Sequence, residues 1–525
     1  MGRRGIDRKE PVRRAGRDSG ETEAEEGEPS TRTRTRGEPR GRDGSRTDSM
    51  ATIGTAYNIA TGALDADQAA LDVIANNTAN VNTPGYTLET PTWEQTDSAS
   101  FNGVGYGAGV QMTGPQSQRD RVLEQAMQQQ TQAESASGAR LGALNQLQAL
   151  FAGATSVGTD TNAANGIGAD LSSFFNTLST LEGSPADVAV RQSVLGAAGT
   201  LAADFNGTAA QLQSQEQSLD EQSTSVMGQA NTLLQDIAQL NQQVETTSPN
   251  QDAGSLEDQR QQDLTSLSQL IGIRTATTEN NGLTVTTMGG ALLVSEGHAY
   301  PMTSGEVAGA THFFDAEGKD ITSDLTAGGG QLGGILTSRD QDIPQVQNAL
   351  DTLAYSVGSD VNQLNEQGSD LNGNAGGAIF SLPNGSTAAN PTGSAAQIAV
   401  VMTNATQIAA AGAGAGPSNN SNAMAMANLE NDGIVNGVSP TSYFSDMVTS
   451  VGNLTSEVSS ENTAQQASLT QLQGQIGSIS GVNLNDEAAQ LSTLEQSYQA
   501  ASKLFTILDQ VMVSALNMGV QTAYS

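Results

Sequence analysis

Apolar residues near the start of the chain recur at alternating steps of four and three, which is typical of a helix that packs along one stripe. The stripe has one charged interruption, Asp67. Pro84 cannot continue a helix and Pro84-Gly85 suits the centre of a type II turn, so the helix should stop at residues 82–85. This pattern predicts one long helix whose narrow stripe needs partners. Its positions are Ile53, Tyr57, Ala60, Leu64, Leu71, Ile74, Thr78 and Val81.

A second stripe of the same kind lies at the opposite end of the chain. The simplest interpretation is that the two ends pair as a terminal coiled coil and that everything between them is an insertion. We call the residues of the two stripes the seam. Each of them could pack in the core of one subunit or contact another subunit, and the pattern leaves both roles open. The second stripe consists of Leu491, Leu494, Tyr498, Ala501, Phe505, Leu508, Met512 and Ala515.

The middle of the chain has helical periodicity for most of its length. Ser184-Pro185 marks the start of one helix, predicted over residues 187–206, and a leucine heptad series after Leu212 predicts a separate long helix. Together these patterns favour a helical rod or bundle. Its predicted segments are 87–272, 336–365 and 441–483.

Two segments interrupt the helices. Residues 273–335 hold short β-prone runs separated by Asn280-Asn281-Gly282 and Gly289-Gly290, which are hairpin signals. Residues 366–440 are rich in Gly, Asn and Ala, and together the two segments form a predicted outer module. The expected fold is therefore mainly α with a β insertion: a terminal coiled-coil domain (50–86 with 484–525), a helical rod or bundle and a small outer β module.

Charge separates the first 49 residues from the rest. They contain 13 of the 22 Lys and Arg residues and 11 of the 56 Asp and Glu residues, which leaves 9 basic and 45 acidic residues for positions 50–525. Such an acidic body makes a poor partner for nucleic acid or an anionic membrane. Residues 1–49 have almost no apolar side chains beyond Ile6 and Val12, so this segment is predicted to be disordered. Two interpretations of them stay open, a disordered extension and an overcalled start site with Met50 as the native first residue.

The sequence also bears on secretion and catalysis. The chain has no cysteine, which suits a protein that leaves the cell and also occurs by chance. We find no apolar run long enough to span a membrane and no cleavable signal pattern, so no membrane insertion is expected. His298 and His312 lack the paired spacing of a metal site. Residues 370–381 fail as a calcium loop at the positions of Ala375 and Ser381. We therefore expect no enzyme, cofactor or metal site.

Short motifs at both ends of the chain resemble the family of flagellar rod, hook and hook-associated proteins. At the C-terminal end they are Ser480–Ala489 and Tyr498–Lys503. Segments of the middle, including Leu256–Arg260, resemble the hook-associated protein 1 branch of that family. The chain departs from the family pattern at Thr78, Leu88 and Gln490. The N-terminal motif comprises Asn76, Asn77, Thr78, Ala79, Asn80, Val81, Asn82, Thr83, Pro84, Gly85 and Tyr86.

This resemblance implies a structural protein at the junction between flagellar hook and filament, outside the cell. It implies export in an unfolded state by the flagellar type III apparatus and assembly into a ring through the paired terminal helices. The implied partners are further copies of the chain, the hook protein, the second junction protein and an export chaperone that holds the C-terminal helix. The alternatives are another axial protein, either the hook protein or the second junction protein, and a secreted acidic adhesin.

Overall fold

The computed structural model describes residues 44–97, 99–101, 104–152, 166–247 and 252–521. Contacts divide the chain into two units, Met1–Ala56 and Tyr57–Ser525. Of the first unit, the structure describes residues 44–56, which are helical. The predicted extension, residues 1–49, lies outside the described residues up to position 43. Positions 44–49 belong to the first helix, which therefore begins before Met50.

Long helices dominate the described chain, as the hydrophobic periodicity predicts. A π-helical turn at Ser338–Asp342 joins two of them. The helices are α1 (Gly44–Asn80), α2 (Arg121–Ala152), α3 (Ile167–Gly183), α4 (Val188–Thr247), α5 (Ser255–Leu270), α6 (Thr322–Gly328), α7 (Gly330–Thr337), α8 (Ile343–Gln367), α9 (Ser394–Gln397), α10 (Ser421–Asn428), α11 (Pro440–Ser480) and α12 (Leu484–Gln521).

The strands form small antiparallel sheets. The largest has four strands in the order β5-β6-β7-β8, and the remaining strands pair as β1-β4, β2-β3, β9-β10 and β11-β12. They are β1 (Glu89–Gln95), β2 (Ala99–Phe101), β3 (Val104–Tyr106), β4 (Val110–Ser117), β5 (Ile273–Thr277), β6 (Leu283–Thr287), β7 (Leu292–Ser295), β8 (His298–Ala299), β9 (Thr303–Val307), β10 (Ala310–Phe314), β11 (Phe380–Ser381) and β12 (Ala399–Val400).

The core lies within the helical bundle. Helix α2 packs against α7 and α11, while α4 packs against α3 and α5. Phe174 and Phe205 are fully buried there. The rings of Phe174 and Phe380 lie 5.8 Å apart edge to face, so the outer region shares this core. The fold is mainly α with a β insertion, as predicted.

Helix α4 is a single 60-residue helix, and the predicted break after Asn206 is wrong. Asn206-Gly207 resembles a helix stop, and an interior glycine costs about 1 kcal/mol relative to alanine. Packing outweighs that cost because Phe205 and Leu212, on either side, are both fully buried. The Asn206 side chain donates to the carbonyl of Ala395 at 2.8 Å, which ties the helix to the outer region.

The β insertion follows the hairpin signals of the sequence. Asn280 and Asn281 both adopt positive φ, and their turn joins β5 to β6. Gly289-Gly290 joins β6 to β7, with Gly290 at a φ of 92°. Asn241 of α4 receives a hydrogen bond from the backbone N–H of Leu283 at 2.8 Å, which fixes the sheet on the long helix.

Candidate functional site: the joint between the chain ends

One side of α1 is buried within the second unit. Its buried positions include Ala60, Asp67, Ala70, Ile74 and Asn77. The Asp67 side chain is 8% exposed, and its Oδ2 atom has no hydrogen-bond partner among the described residues. The buried side is thus rotated relative to the predicted stripe and includes two polar residues.

The rest of the predicted N-terminal stripe is less buried. Leu64 and Leu71 are half-buried, and Thr78 is exposed. Ile53, Tyr57 and Val81 are also half-buried. Apolar surface on this edge of α1 therefore remains available to a partner.

A hairpin covers another part of α1. Strands β1 and β4 pair antiparallel. The residue before β4, Gly109, has a φ of 106°, and a Cβ there would lie 3.4 Å from Ile59. A Cβ on Gly62 would lie 3.2 Å from the carbonyl oxygen of Val110. Helix and hairpin are therefore in close contact at these glycines.

We call the contact between the end of α1, the start of β1 and the start of α12 the joint. Asn77 lies at its centre. It is 1% exposed, and its Nδ2 donates to the carbonyl of Glu89 at 2.8 Å and to Glu487 Oε2 at 3.3 Å. Its Oδ1 accepts from the backbone N–H of Glu89 at 3.1 Å and from the Tyr86 hydroxyl at 2.7 Å. One amide thus connects α1, the start of β1 and the start of α12.

Further hydrogen bonds attach this joint to the bundle. Thr87 donates to Asp258 of α5 through its N–H at 3.1 Å and through its hydroxyl at 2.7 Å. Arg119 also pairs with Asp258. On the other side, the Leu88 N–H donates to the Ser480 carbonyl at 2.8 Å. The loop after α1 is therefore held by both α5 and the end of α11.

The joint is acidic, and the pKa values of its residues reflect this. Burial, followed by the nearby carboxylates of Asp252 and Asp258, raises the pKa of Glu89. Burial also raises the pKa of the Tyr86 phenol, with smaller contributions from the charges of Glu89, Asp258 and Glu487. Tyr86 therefore stays protonated and able to donate to Asn77 at physiological pH.

The remaining motif residues lie around a turn. Gly85 has a φ of 80°, which favours glycine. Asn76 contacts the Tyr86 hydroxyl through Nδ2 at 3.3 Å, and Asn80 contacts Asn76 Oδ1 at 2.9 Å. Ala79, Asn82, Thr83 and Pro84 are exposed. The sequence motif therefore combines a buried hydrogen-bond centre with an exposed turn.

Helix α12 runs antiparallel to α1 in the second unit. The rings of Tyr57 and Phe505 lie 4.8 Å apart, and Asn77 meets Glu487 at the other end of the pair. Leu494, Phe505, Leu508 and Met512 are half-buried, with Ala501 and Ala515. The structure thus brings both predicted stripes together, while Leu491 and Tyr498 each remain 39% exposed.

Apolar residues of α12 outside the predicted stripe are exposed. Leu504, Ile507 and Val511 each precede a stripe residue by one position and are 45–57% exposed. Val513 and Leu516 are exposed as well. We call Leu504, Ile507 and Val511 the flank of α12. A helix with apolar residues over so much of its circumference is typical of a buried helix.

Two negative findings apply to the part of the chain that the structure describes. Among these residues, no group of three His, Asp or Glu side chains is arranged to hold a metal ion. His312 instead contacts Asp320, with 2.6 Å between Nδ1 and Oδ2. Within the same residues, no helix is both long enough and apolar enough to cross a membrane.

The sequence alone does not identify the residues that hold the motif. Asp258 lies in the segment Leu256–Arg260 that carries the resemblance, but that segment does not indicate its role. Glu487 lies in the C-terminal motif, but its contact with Asn77 spans 410 positions of sequence. No sequence motif includes Arg119.

Three family models match separate parts of the chain. A model described as the helical domain of flagellar hook-associated protein FlgK matches residues 144–380. The flagella basal body rod protein model matches residues 58–87. The C-terminal model of flagellar basal body rod FlgEFG proteins matches residues 473–518. The two rod-protein matches include most of α1 and α12 within the second unit.

Curated relatives and a solved structure agree with these matches. Flagellar hook-associated protein 1 of Salmonella typhimurium is 28% identical over 62% of this chain, and the match spans 59% of that relative. The Bacillus subtilis protein of the same name is 25% identical over 87% of this chain and 97% of its own length. The flagellar hook junction protein FlgK from Burkholderia pseudomallei has the same fold, with a TM-score of 0.59 and 18% identity over 68% of this chain and 100% of its own.

Proposed function

We propose that this chain is a structural subunit of the bacterial flagellum at the junction of hook and filament, because the hook-associated helical domain model matches residues 144–380 and similar curated proteins are named flagellar hook-associated protein 1. The observation that carries the proposal is the exposed flank of α12 beside the α1–α12 pair. A free subunit leaves this apolar surface in water, whereas a ring of subunits would cover it.

The two terminal helices would divide their surfaces between two roles. The buried side of α1, with Asn77 at its end, holds α1 against the hairpin and α12 within one subunit. The flank of α12 and the half-buried edge of α1, at Leu64 and Leu71, would contact neighbouring copies. The predicted seam residues Leu494, Phe505, Leu508 and Met512 would contribute mainly within the subunit.

We propose the same domain boundaries as the sequence predicts. The terminal helical domain would comprise residues 50–86 and 484–525 and would contact the hook protein, the second junction protein and other copies of the chain. The helical rod or bundle (87–272, 336–365 and 441–483) and the outer module (273–335 and 366–440) would carry no essential assembly contacts.

Export in an unfolded state through the flagellar type III apparatus, to the outside of the cell, also forms part of the proposal. Most of α12 is exposed in the single subunit, so packing within the subunit contributes little to keeping this helix ordered. Isolated helices gain most of their stability from partners. The apolar flank of α12 is also the surface that we assign to an export chaperone before assembly.

Two other functions rank below this one. Another axial protein, either the hook protein or the second junction protein, would not account for the hook-associated helical domain matched over residues 144–380. A secreted adhesin would use the outer module and would not need an apolar flank on α12. The family consists of structural proteins, so no catalytic role is proposed.

Deletion of the gene, with restoration of a tagged full-length copy, tests the proposal. We expect deletion to abolish filament attachment, and the restored protein to be labelled at the boundary of hook and filament by immunogold electron microscopy. In a second strain, residues 306–311 at the exposed tip of the β9–β10 hairpin would be replaced by Asn-Gly, and this strain should still attach filaments, because the outer module carries no assembly contacts in this account. Label distributed over the cell surface, or normal filaments in the deletion strain, would refute the proposed function.

A further inference from the structure

Two carboxyl groups meet where helix α3 packs against helix α4. Asp170 lies in the first turn of α3, and Asp204 lies on α4 within hydrogen-bond range of it. Both side chains are half-buried. Phe174, one turn after Asp170, and Phe205, directly after Asp204, are fully buried. The two carboxyl groups therefore lie at the edge of the apolar contact between these helices.

The carboxyl group of Asp170 lacks the donors that a buried carboxylate normally has. Its Oδ2 atom is inaccessible to solvent, and no N–H or hydroxyl group of the described residues donates to it. Its hydrogen-bond neighbour is the carboxyl group of Asp204. Ionised carboxylates have acceptor atoms only, so a hydrogen bond between two of them requires a proton on one. The arrangement therefore fits one carboxylic acid beside one carboxylate.

The helices packed against α3 supply no positive charge to replace this proton. They are α4, α10 and α11. Helix α10 has no ionisable side chain, and the first turns of α11 carry Tyr443 and Asp446. Arg191, the only basic residue of α4, lies near the opposite end of α3. Among the described residues, Asp204 is the only charged group that changes the pKa of Asp170.

The direction of titration follows from these surroundings. Burial, followed by the hydrogen bond with Asp204 and its negative charge, raises the pKa of Asp170 from the usual 3.8 to about 7. The first turn of a helix favours a charged carboxylate, so these effects outweigh the helix dipole. The folded state thus binds the proton more tightly than the unfolded state. Its contribution to stability is fully present below about pH 4 and is lost as the pH rises through about 7.

We propose that Asp170 and Asp204 share one proton across the contact of α3 with α4, and that release of this proton to solvent loosens the start of α3. Above neutral pH both groups are ionised and repel each other in a half-buried site. The first turns of α3 then separate from α4, while Leu178 and Leu181, which are fully buried, keep its last turns packed. This switch operates in the bundle of a single subunit, whatever that subunit assembles with.

Hydrogen exchange of the full chain, measured at about pH 5 and about pH 9, tests this switch. At each pH, the protection of peptides from residues 167–176 is compared between the wild type and Asp170→Asn, so the intrinsic effect of pH on exchange cancels. At pH 5 we expect equal protection, because the new amide donates to Asp204 as the protonated acid does. At pH 9 the wild type should exchange on the order of tenfold faster, since it alone carries two charges there.

Two further variants separate the pair from general charge effects. Asp204→Asn also removes one of the two charges and should show the same pH-dependent gain in protection over the wild type. Glu221→Gln removes a negative charge from an exposed position of α4 and should exchange like the wild type at both pH values. Peptides from α8 should not differ among the four proteins.

Two outcomes would overturn the proposal. The first is a ratio of exchange rates between wild type and Asp170→Asn that is the same at both pH values, which would mean that no shared proton is lost in this range. The second is faster exchange of Asp170→Asn at pH 9, which would mean that the ionised carboxylate stabilises α3. Asp204→Asn leaves Asp170 in place, so it decides between these results if Asp170→Asn does not fold.

Discussion

Replacing Asn77 by leucine is expected to detach the start of β1 and the start of α12 from α1. The substitution leaves the Glu89 N–H and carbonyl, the Tyr86 hydroxyl and the Glu487 carboxylate without their shared partner. Each buried group left unpaired costs about 1–3 kcal/mol. Glu487 is 3% exposed, so water does not readily replace the amide. A loss of several kcal/mol in this joint would be the largest effect of any single substitution considered.

Hydrogen exchange followed by mass spectrometry measures this effect directly. In Asn77→Leu, peptides that contain Glu89 should exchange on the order of a hundredfold or more faster, while peptides from the core of α4 keep their protection. Asn58→Leu makes the same change at an exposed position of α1 and should exchange like the wild type. Equal protection of Glu89 in both variants would show that Asn77 does not hold the joint.

The surroundings of Asn77 show which features of the fold the sequence predicts and which it does not. Periodicity predicts α1 correctly because helix spacing is a local property. It places Asp67 on the stripe as a charged interruption but does not predict that the buried side includes Asn77, because hydropathy assigns polar residues to water. The partners of Asn77 lie 9, 12 and 410 positions away, so its hydrogen bonds exist only after folding. The family motif marked the residue without indicating its contacts.

Replacing Leu504 by aspartate is expected to abolish incorporation into the junction while leaving the free subunit folded. Leu504 is 47% exposed in the subunit, so the substitution removes little internal packing. In the assembly, burial of the exposed half of Leu504 contributes about 1 kcal/mol per subunit, and an unpaired buried carboxylate adds a further penalty. Because the contact repeats around a ring, the loss recurs in every subunit. Swimming in soft agar and filament counts by electron microscopy measure the result.

Thr506→Asp provides the matched control. It introduces the same charge into α12 at an exposed polar position that is not three or four residues from any residue of the flank. We expect it to support nearly normal filament attachment. Normal motility in both variants would exclude the flank from assembly, whereas loss in both would indicate that α12 tolerates no added negative charge anywhere.

The flank could not be separated from the seam by sequence alone. Leu504 and Phe505 are adjacent and both apolar, and either could belong to a stripe with steps of three and four. The fold distinguishes them, since Phe505 meets Tyr57 at 4.8 Å while Leu504 remains in solvent. Periodicity does not decide which apolar residues make contacts within a subunit and which make contacts between subunits. From the fold we propose the first role for Phe505 and the second for Leu504.

The most direct test of the account is the accessibility of the flank before and after assembly. The chain contains no cysteine, so a Leu504→Cys variant has a single reactive thiol. Maleimide should label this thiol in the purified subunit and fail to label it in isolated hook–filament junctions. The thiol of an Ala389→Cys variant, at an exposed position of the outer module, should be labelled in both. Equal labelling of the Leu504→Cys thiol in subunit and junction would contradict assembly through the flank of α12.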